Sequence, residues 1–318
     1  MRHVFAPLLV ILLLCSCSTD PSPKRLTISS GFVDVPGGPV WYEVMASGDG
    51  IPLLTIHGGP GSTSCTMQGL ATLDDNRPVI RYDQLGTGRS GRPTDPSLWN
   101  RDRFVEELSA LRRELGLEKV HLLGHSWGGS LAAYYVLETG GEGVQSLILS
   151  SPLISTEVWI ADATLLRKTL PLEVQRVLDE NEAAGTLDSP EYKKATAAFY
   201  DLFVNRGEAV ERFDCTDAPG NSLIYNQMWG PTEFLSTGSL VDFDLRPRLA
   251  AISVPTLFLT GEYDEARPET IAGFASKVPN AQVEVIAGVA HASLNRAPDV
   301  YREHVRAFLN QVERADSP

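Results

Sequence analysis

Short apolar runs alternate with stretches of helical periodicity along most of the chain. Runs at residues 52–56, 78–82, 120–123, 146–149, 256–260 and 282–286 have the length and apolar content of buried strands. Residues 104–115, 131–137 and 300–312 read as helices, and residues 26–35 and 39–45 alternate as two strands of a hairpin. Strands that alternate with helices predict an α/β fold, with a mostly parallel central sheet and helices on both faces.

The segment of residues 154–240 interrupts this pattern. It carries helical runs at 158–170, 172–181 and 190–205, no convincing strand, and more acidic than basic residues. The α/β pattern resumes after it. We therefore predict an inserted helical lid that divides the core into a first part, residues 26–153, and a second part, residues 241–318.

The first residues predict an export signal. An apolar run from residue 4 to 14 is too short to span a bilayer and suits a signal peptide. The following Leu14-Cys15-Ser16-Cys17 resembles a bacterial lipobox, so we expect residues 1–16 to be a lipoprotein signal peptide and Cys17 to be lipidated. Residues 17–25 would be a tether, and Ser18 favours an outer-membrane anchor that faces the periplasm. A plain signal peptide with a chance cysteine is the alternative.

Composition narrows the possible partners. The 318 residues are 43% hydrophobic and 21% charged, which is ordinary for a globular protein. The net charge of −13 argues against nucleic acid as a partner. Metal-binding motifs are lacking, so we expect no metal and no cofactor. Once Cys15 is removed and Cys17 lipidated, Cys65 and Cys215 remain, either as a disulfide or as two separate buried thiols.

The sequence GHSWGG at residues 124–129 carries the first chemical signal. It contains G-x-S-x-G, whose small residues allow a turn tight enough to lift the serine to the mouth of the sheet. A predicted strand before it and a predicted helix after it supply the context that this motif requires. We therefore predict that Ser126 is a nucleophile.

A nucleophilic serine requires a base and an acid, which follow it along the chain in this kind of fold. His291 lies in a loop after the last predicted strand, as the base should. The acid should follow the preceding strand, where GEYDE at residues 261–265 offers three carboxylates; Asp264 is the choice, to fix the tautomer of His291. His125 adjoins the nucleophile, but we expect its side chain to point elsewhere on the turn.

Two glycine-rich sequences differ in what they predict. HGGPG at residues 57–61 lets the backbone approach a substrate carbonyl, so the N–H groups of Gly59 and Trp127 would form an oxyanion hole, worth roughly 3–4 kcal/mol per donor. GTGRSG at residues 86–91 matches a dinucleotide-binding pattern. The sequence RPTDP follows at the point where that pattern needs a helix, so we expect no dinucleotide.

Taken together, these motifs resemble the proline iminopeptidase family of α/β-hydrolases, and most closely the type represented by the archaeal tricorn-interacting aminopeptidase. HGGPG, DQLGTGRS, GHSWGG and GEYDE stand in the family's order, and AHAS at residues 290–293 stands where its catalytic histidine falls. MWGPTEF at residues 228–234 is similar to a lid segment of the family. The resemblance runs from residue 32 to 308 and implies an α/β-hydrolase fold.

The resemblance also implies a site for the substrate's free α-ammonium group. By position, Glu233 in the lid and Glu265 beside the acid would bind it, with Tyr225 nearby. The expected activity is that of a serine aminopeptidase releasing proline, or another small or apolar residue, from short peptides or aminoacyl amides with a free N-terminus. An amino-acid amidase or small-substrate esterase is the alternative, and a non-catalytic binding lipoprotein is a third that the complete triad disfavours.

Overall fold

Eight strands form a single sheet in the residues that the computed structural model describes, which are 26–73 and 76–315. The predicted signal peptide, Cys17 and the tether lie outside these residues. The strands are β1 (Ser29–Val35), β2 (Gly38–Ala46), β3 (Leu53–Ile56), β4 (Val79–Tyr82), β5 (Val120–His125), β6 (Val144–Ser150), β7 (Thr256–Gly261) and β8 (Ala281–Ile286).

Helices and one long 3₁₀ segment fill the connections between the strands. The 3₁₀ segment is Ser64–Thr72. The helices are α1 (Arg101–Leu115), α2 (Trp127–Thr139), α3 (Thr156–Arg167), α4 (Leu172–Ala184), α5 (Pro190–Phe203), α6 (Ser222–Met228), α7 (Pro268–Ala275), α8 (Ser293–Arg296) and α9 (Pro298–Ala315).

The sheet is antiparallel at one end and parallel over the rest. Its order is β1-β2-β4-β3-β5-β6-β7-β8, with β1, β2 and β4 paired antiparallel and every pair from β4 to β8 parallel. The hairpin predicted around residues 36–38 joins β1 to β2. The parallel strands end at one common edge, and in open α/β sheets this edge is where sites form.

Both faces of the sheet are covered, which explains why the central strands read as continuous apolar runs. Leu54, Leu122 and Phe258 project into a core that α1, α2 and α7 share. Leu53 and Leu123 face the opposite way, into a second core with the 3₁₀ segment and α9. The alternation places consecutive residues of one strand in different cores.

The segment between β6 and β7 forms the lid, with helices α3 to α6. Its two ends meet at the sheet: Leu245 N donates to Ile154 O (2.9 Å), and Thr156 N donates to Phe243 O (2.9 Å). The lid has a small apolar core of its own, in which Leu178, Tyr192 and Phe199 are buried. Ser189 caps the N-terminus of helix α5: its hydroxyl accepts the N–H of Tyr192 (3.1 Å), and Pro190 occupies the first turn.

A disulfide joins the lid to the core. Cys65 in the 3₁₀ segment is bonded to Cys215 in the loop between α5 and α6, and their Cα atoms are 5.8 Å apart. Of the two alternatives left open for these cysteines, the structure has the disulfide. It spans 150 residues of chain and therefore restricts the unfolded state strongly.

Across the described ranges, the helices are too short or too polar for any of them to cross a membrane.

Candidate active site

Ser126 stands on a sharp turn between β5 and α2, at the carboxyl edge of the sheet. Its backbone has φ 54° and ψ −124°, a conformation that few residues other than glycine adopt. Glycine is required on both sides of the turn. A Cβ at Gly124 would lie 2.1 Å from Gly128 O, and one at Gly128 would lie 2.1 Å from Ile56 O. The strand, turn and helix thus present the serine to the cavity above.

His291 and Asp264 form a hydrogen-bonded pair beside this turn. His291 Nδ1 donates to Asp264 Oδ1 at 2.9 Å, which leaves Nε2 as the free ring nitrogen. Both side chains are almost completely buried. Asp264 ends the turn after β7 and His291 follows β8, so the three predicted members of the triad come together at one edge of the sheet.

Asp264 is held by several donors in addition to His291. Its carboxylate accepts hydrogen bonds from Ser151 Oγ (2.6 Å), Thr260 Oγ1 (3.0 Å) and Ala266 N (2.9 Å). Burial opposes its charge, but the charge of His291 and these hydrogen bonds lower its pKa below the usual value. Ser151 itself has a positive φ of 48°, so its backbone is strained where its hydroxyl meets the acid.

The same carboxylate acts on the base. Burial alone would lower the pKa of His291, but the charge and hydrogen bond of Asp264, with the charge of Glu233, raise it above the usual value. The site therefore favours the imidazolium that forms when this histidine accepts a proton.

Gly59 and Trp127, which the sequence predicts to form the oxyanion hole, both lie near Ser126. Trp127 is the first residue of α2, so its N–H has no partner within the helix. Gly58 and Gly59 line the same cavity as Ser126. No hydrogen bond within the described ranges uses either of these two N–H groups. The assignment of these two N–H groups to an oxyanion hole stays a prediction.

Buried polar contacts fix the HGGPG loop against α2. His57 Nε2 accepts the N–H of Gln84 (3.0 Å), whose side-chain amide donates to His57 O (2.8 Å). The Gln84 oxygen in turn accepts Trp127 Nε1–H (3.0 Å). The sequence GTGRSG, which follows Gln84, serves packing: Gly88 N donates to Pro219 O in the lid.

A cavity of about 580 Å³ opens in front of Ser126. The predicted lid residues Glu233 and Tyr225 line it, together with His125 and His291. Burial raises the pKa of Glu233, although the charge of His291 and the neighbouring Tyr225 hydroxyl lower it in part. The partly buried Glu233 therefore faces the same space as the nucleophile.

Glu265 is buried next to the acid, and the two oxygens of its carboxyl group have no hydrogen-bond partner in the described structure. His291 Nδ1 lies 4.0 Å from Glu265 Oε1, beyond hydrogen-bond range. Burial first, then the charges of Glu233 and Asp264, raise its pKa well above the usual value. A buried carboxyl group without a donor is costly, which is typical of a group that awaits a ligand.

Lid residues that the sequence did not single out also reach this site. Trp159 donates Nε1–H to Glu233 O (2.9 Å), and its ring meets that of His291 edge-on, with centroids 5.7 Å apart. Tyr200 Oη accepts the N–H of Glu233 (3.1 Å). At the end of α5, Phe203 O accepts the N–H groups of Glu265 (3.2 Å) and His291 (3.3 Å).

The side chain of His125, which precedes the nucleophile, is directed toward the loop of the base. It lines the cavity in front of Ser126, and its Nε2 lies 3.0 Å from His291 O. The structure thus gives this side chain a partner that the sequence did not name.

Comparison with known proteins identifies the family. The alpha/beta hydrolase fold family matches residues 51–295. The proline iminopeptidase of Heyndrickxia coagulans is 43% identical over 287 residues, which are 89% of this chain and 99% of that protein. The chain belongs to the proline iminopeptidase family of α/β-hydrolases. The predicted fold and family are thereby confirmed, and the chain is a serine hydrolase of the prolyl aminopeptidase type.

Other members of the family are similar to this chain over nearly its whole length. The proline iminopeptidase of Clostridium botulinum is 33% identical over 291 residues, or 90% of this chain and 99% of that protein. The crystal structure of proline iminopeptidase from Mycobacterium smegmatis is 33% identical, with a TM-score of 0.82, over 91% of this chain and 100% of that one. The likeness to the tricorn-interacting type stays a prediction.

Proposed function

We propose that this member of the family is a serine aminopeptidase that removes an N-terminal residue, proline or another small or apolar residue, from short peptides. The observation that carries the proposal is a pair of carboxyl groups: Glu233 lines the cavity with Ser126, and Glu265 lies 4.0 Å from the His291 ring. Glu265 lacks any hydrogen-bond donor. A substrate ammonium group between the two would supply the missing donors.

In the first half of the reaction, Ser126 Oγ attacks the carbonyl carbon of the N-terminal residue, and His291 Nε2 takes its proton. Asp264 stabilises the imidazolium that results. The carbonyl oxygen gains negative charge and accepts hydrogen bonds from the N–H groups of Gly59 and Trp127. His291 then gives the proton to the departing amine, and the C–N bond breaks to leave an ester on Ser126.

In the second half, a water molecule gives its proton to His291 and attacks the ester carbonyl. The tetrahedral intermediate collapses, Ser126 recovers the proton, and the free amino acid leaves. Throughout, the ammonium group is bound by Glu233 and Glu265, with Tyr225 beside them. This binding fixes how far the substrate enters the cavity, so that only the first peptide bond lies in front of Ser126.

A panel of arylamides of proline, alanine and leucine, with p-nitrophenyl esters of neutral acids, tests this function. The proposal predicts that the free aminoacyl arylamides are preferred, and the similarity to proline iminopeptidases favours proline among them. If neutral esters are hydrolysed far faster than every aminoacyl arylamide, the esterase alternative replaces it. Ser126→Ala is the control that assigns the turnover to this serine.

We also propose that the protein is exported and anchored through a lipidated Cys17, in the outer membrane and facing the periplasm. The lipobox-like sequence before Cys17 supports this, and so does the Cys65–Cys215 disulfide, because disulfides persist in oxidising compartments. Cys17→Ser should move the protein from the membrane fraction to the soluble fraction of the periplasm. Mass spectrometry that finds no acyl group at Cys17 of the wild type would contradict the proposal.

A further inference from the structure

His125 links the nucleophile turn to the loop of the base. It is the last residue of β5 and directly precedes Ser126. Its Nε2 lies 3.0 Å from the main-chain oxygen of His291, and the centroids of the two imidazole rings are 4.7 Å apart. Because a carbonyl oxygen only accepts, Nε2 carries the proton and donates.

This contact joins the ends of two strands, β5 and β8, that are not paired with each other in the sheet. Ser126 follows β5 and His291 follows β8, and β6 and β7 lie between those two strands. On its other side, the base loop is held by the end of the lid helix: His291 N donates to Phe203 O (3.3 Å) and Ala292 N to Val204 O (2.9 Å). The hydrogen bond from His125 thus attaches the loop to the nucleophile turn itself.

The charge state of His125 suits this position. Burial first, and then the neighbouring His291, lower the pKa of His125 to about 4. The ring is therefore neutral near neutral pH. A second positive charge so close to His291 would oppose the imidazolium that forms during attack by Ser126, and the neutral ring avoids this repulsion.

We propose that His125 is a positioning residue for the base: its Nε2–H holds the peptide group of His291 against the nucleophile turn and so sets the approach of the His291 ring to Ser126. The proposal rests on the proposed roles of Ser126 and His291. Its effect falls on the chemical step rather than on binding, because the ammonium site involves other residues.

Two amide substitutions separate this role from simple filling of space. In His125→Gln, the side-chain nitrogen is as many bonds from Cβ as Nε2 of histidine is, so the donor to His291 O is retained. In His125→Asn, the amide ends where Nδ1 stands, and the donor falls short. His304→Asn is the matched control, because this histidine lies on α9, partly exposed and 3.5 Å from Glu284.

The measurement is kcat and KM on proline arylamide, with thermal unfolding to verify that each variant folds. We expect His125→Asn to lower kcat by about 10- to 100-fold with KM changed less than about twofold, since a misplacement of about 1 Å can cost that much. His125→Gln should keep kcat within about threefold of the wild type. Equal kcat values for both variants, or a loss that appears in KM instead, would overturn the proposal.

A second readout separates this proposal from the peptidase function. A fluorophosphonate probe labels an activated serine without needing an ammonium group, so its rate of reaction with Ser126 reports the base directly. We expect wild type and His125→Gln to react faster than His125→Asn. If that order holds although proline arylamide is not cleaved, the proposed function fails and the role of His125 stands; if all three react equally fast, the role of His125 fails.

Discussion

Asp264 and Glu265 are consecutive residues, yet their carboxyl groups lie in opposite surroundings. Asp264 accepts hydrogen bonds from His291, Ser151, Thr260 and the backbone, and its pKa is lowered. Glu265 is equally buried, accepts none in the described structure, and its pKa is raised. The chain turns between them, so that one faces the base and the other faces the lid.

This difference separates two kinds of task. The triad side is complete without substrate, because all of its charges have partners within the protein. The lid side, with Glu233 and Glu265, would be completed by a cation under the proposed function. Neighbouring carboxyl groups whose pKa values are driven apart are a known sign of different chemical roles, which agrees with the proposal that Asp264 orients the base and Glu265 binds substrate.

The largest effect on activity should follow from a substitution on the triad side. Asp264→Asn replaces an acceptor by a donor opposite His291 Nδ1 and favours the wrong tautomer. We expect kcat on proline arylamide to fall by about 10⁴-fold while KM changes little. Steady-state kinetics on the folded variant measures both. If Asp264→Asn instead raised KM and left kcat unchanged, Asp264 would act in substrate binding. The two carboxyl groups would then not have the different roles proposed for them.

Substitutions on the lid side should have a smaller effect, and it should appear in KM rather than in kcat. Glu233→Gln and Glu265→Gln each remove a charge-assisted hydrogen bond to the ammonium group, worth about 1.5–3 kcal/mol. KM for proline arylamide should therefore rise by about 10- to 100-fold. Glu191→Gln, an exposed glutamate on α5, is the control.

A neutral substrate sharpens this test. Hydrolysis of a p-nitrophenyl ester of similar size should change little in Glu233→Gln and Glu265→Gln, because its transition state carries no ammonium group. If the two variants lose ester and arylamide turnover in equal measure, the glutamates support the fold of the site rather than bind the amine.

The smallest effect concerns stability. A raised pKa means that the unfolded chain releases the Glu265 proton first, so the wild type loses stability as pH rises above the unfolded value, about 4.3, toward the folded pKa. Glu265→Gln removes this loss. Its free energy of unfolding should exceed that of the wild type by about 1 kcal/mol at roughly pH 8, and by less at roughly pH 5.

For Asp264, the stability should depend on pH in the opposite direction. A lowered pKa means that Asp264 contributes stability above its unfolded value, about 3.9, and that this contribution is lost as pH falls through the folded pKa. Asp264→Asn should therefore destabilise the protein at neutral pH and less in acid. Urea unfolding measures both variants, Glu265→Gln at roughly pH 8 and pH 5, and Asp264→Asn at neutral pH and at roughly pH 3, where the contribution of Asp264 is being lost. A shared sign would contradict the assignment of the two environments.

The sequence predicted what depends on local pattern and chain order. Ser126 was found from the glycines that its turn requires, and Asp264 and His291 from their positions after successive strands. The residues that surround them left no such signal. Ser151 contacts Asp264 in the core, and Trp159 and Tyr200 contact Glu233 within the lid. Such contacts depend on how segments distant in the chain pack.

His125 and the cysteines show the same limit. The spacing of Cys65 and Cys215 could not decide between a disulfide and two thiols, since the distance between them is set by the lid loop. The partner of the His125 side chain, His291 O, belongs to a loop 166 residues away, about which the motif around Ser126 carries no information. The positions of the site residues along the chain were predictable from the sequence, whereas the orientations and contacts of their side chains could be known only from the fold.

The most direct test of the contrast compares two substrates on the wild-type protein: proline arylamide and its N-acetylated form. Acetylation removes the positive charge and leaves the scissile bond intact, so the triad side is unaffected and the lid side loses its ligand. We predict that kcat/KM for the acetylated substrate is lower by at least about 100-fold. Equal hydrolysis of the two substrates would contradict the account, because Glu233 and Glu265 would then have no ammonium group to bind.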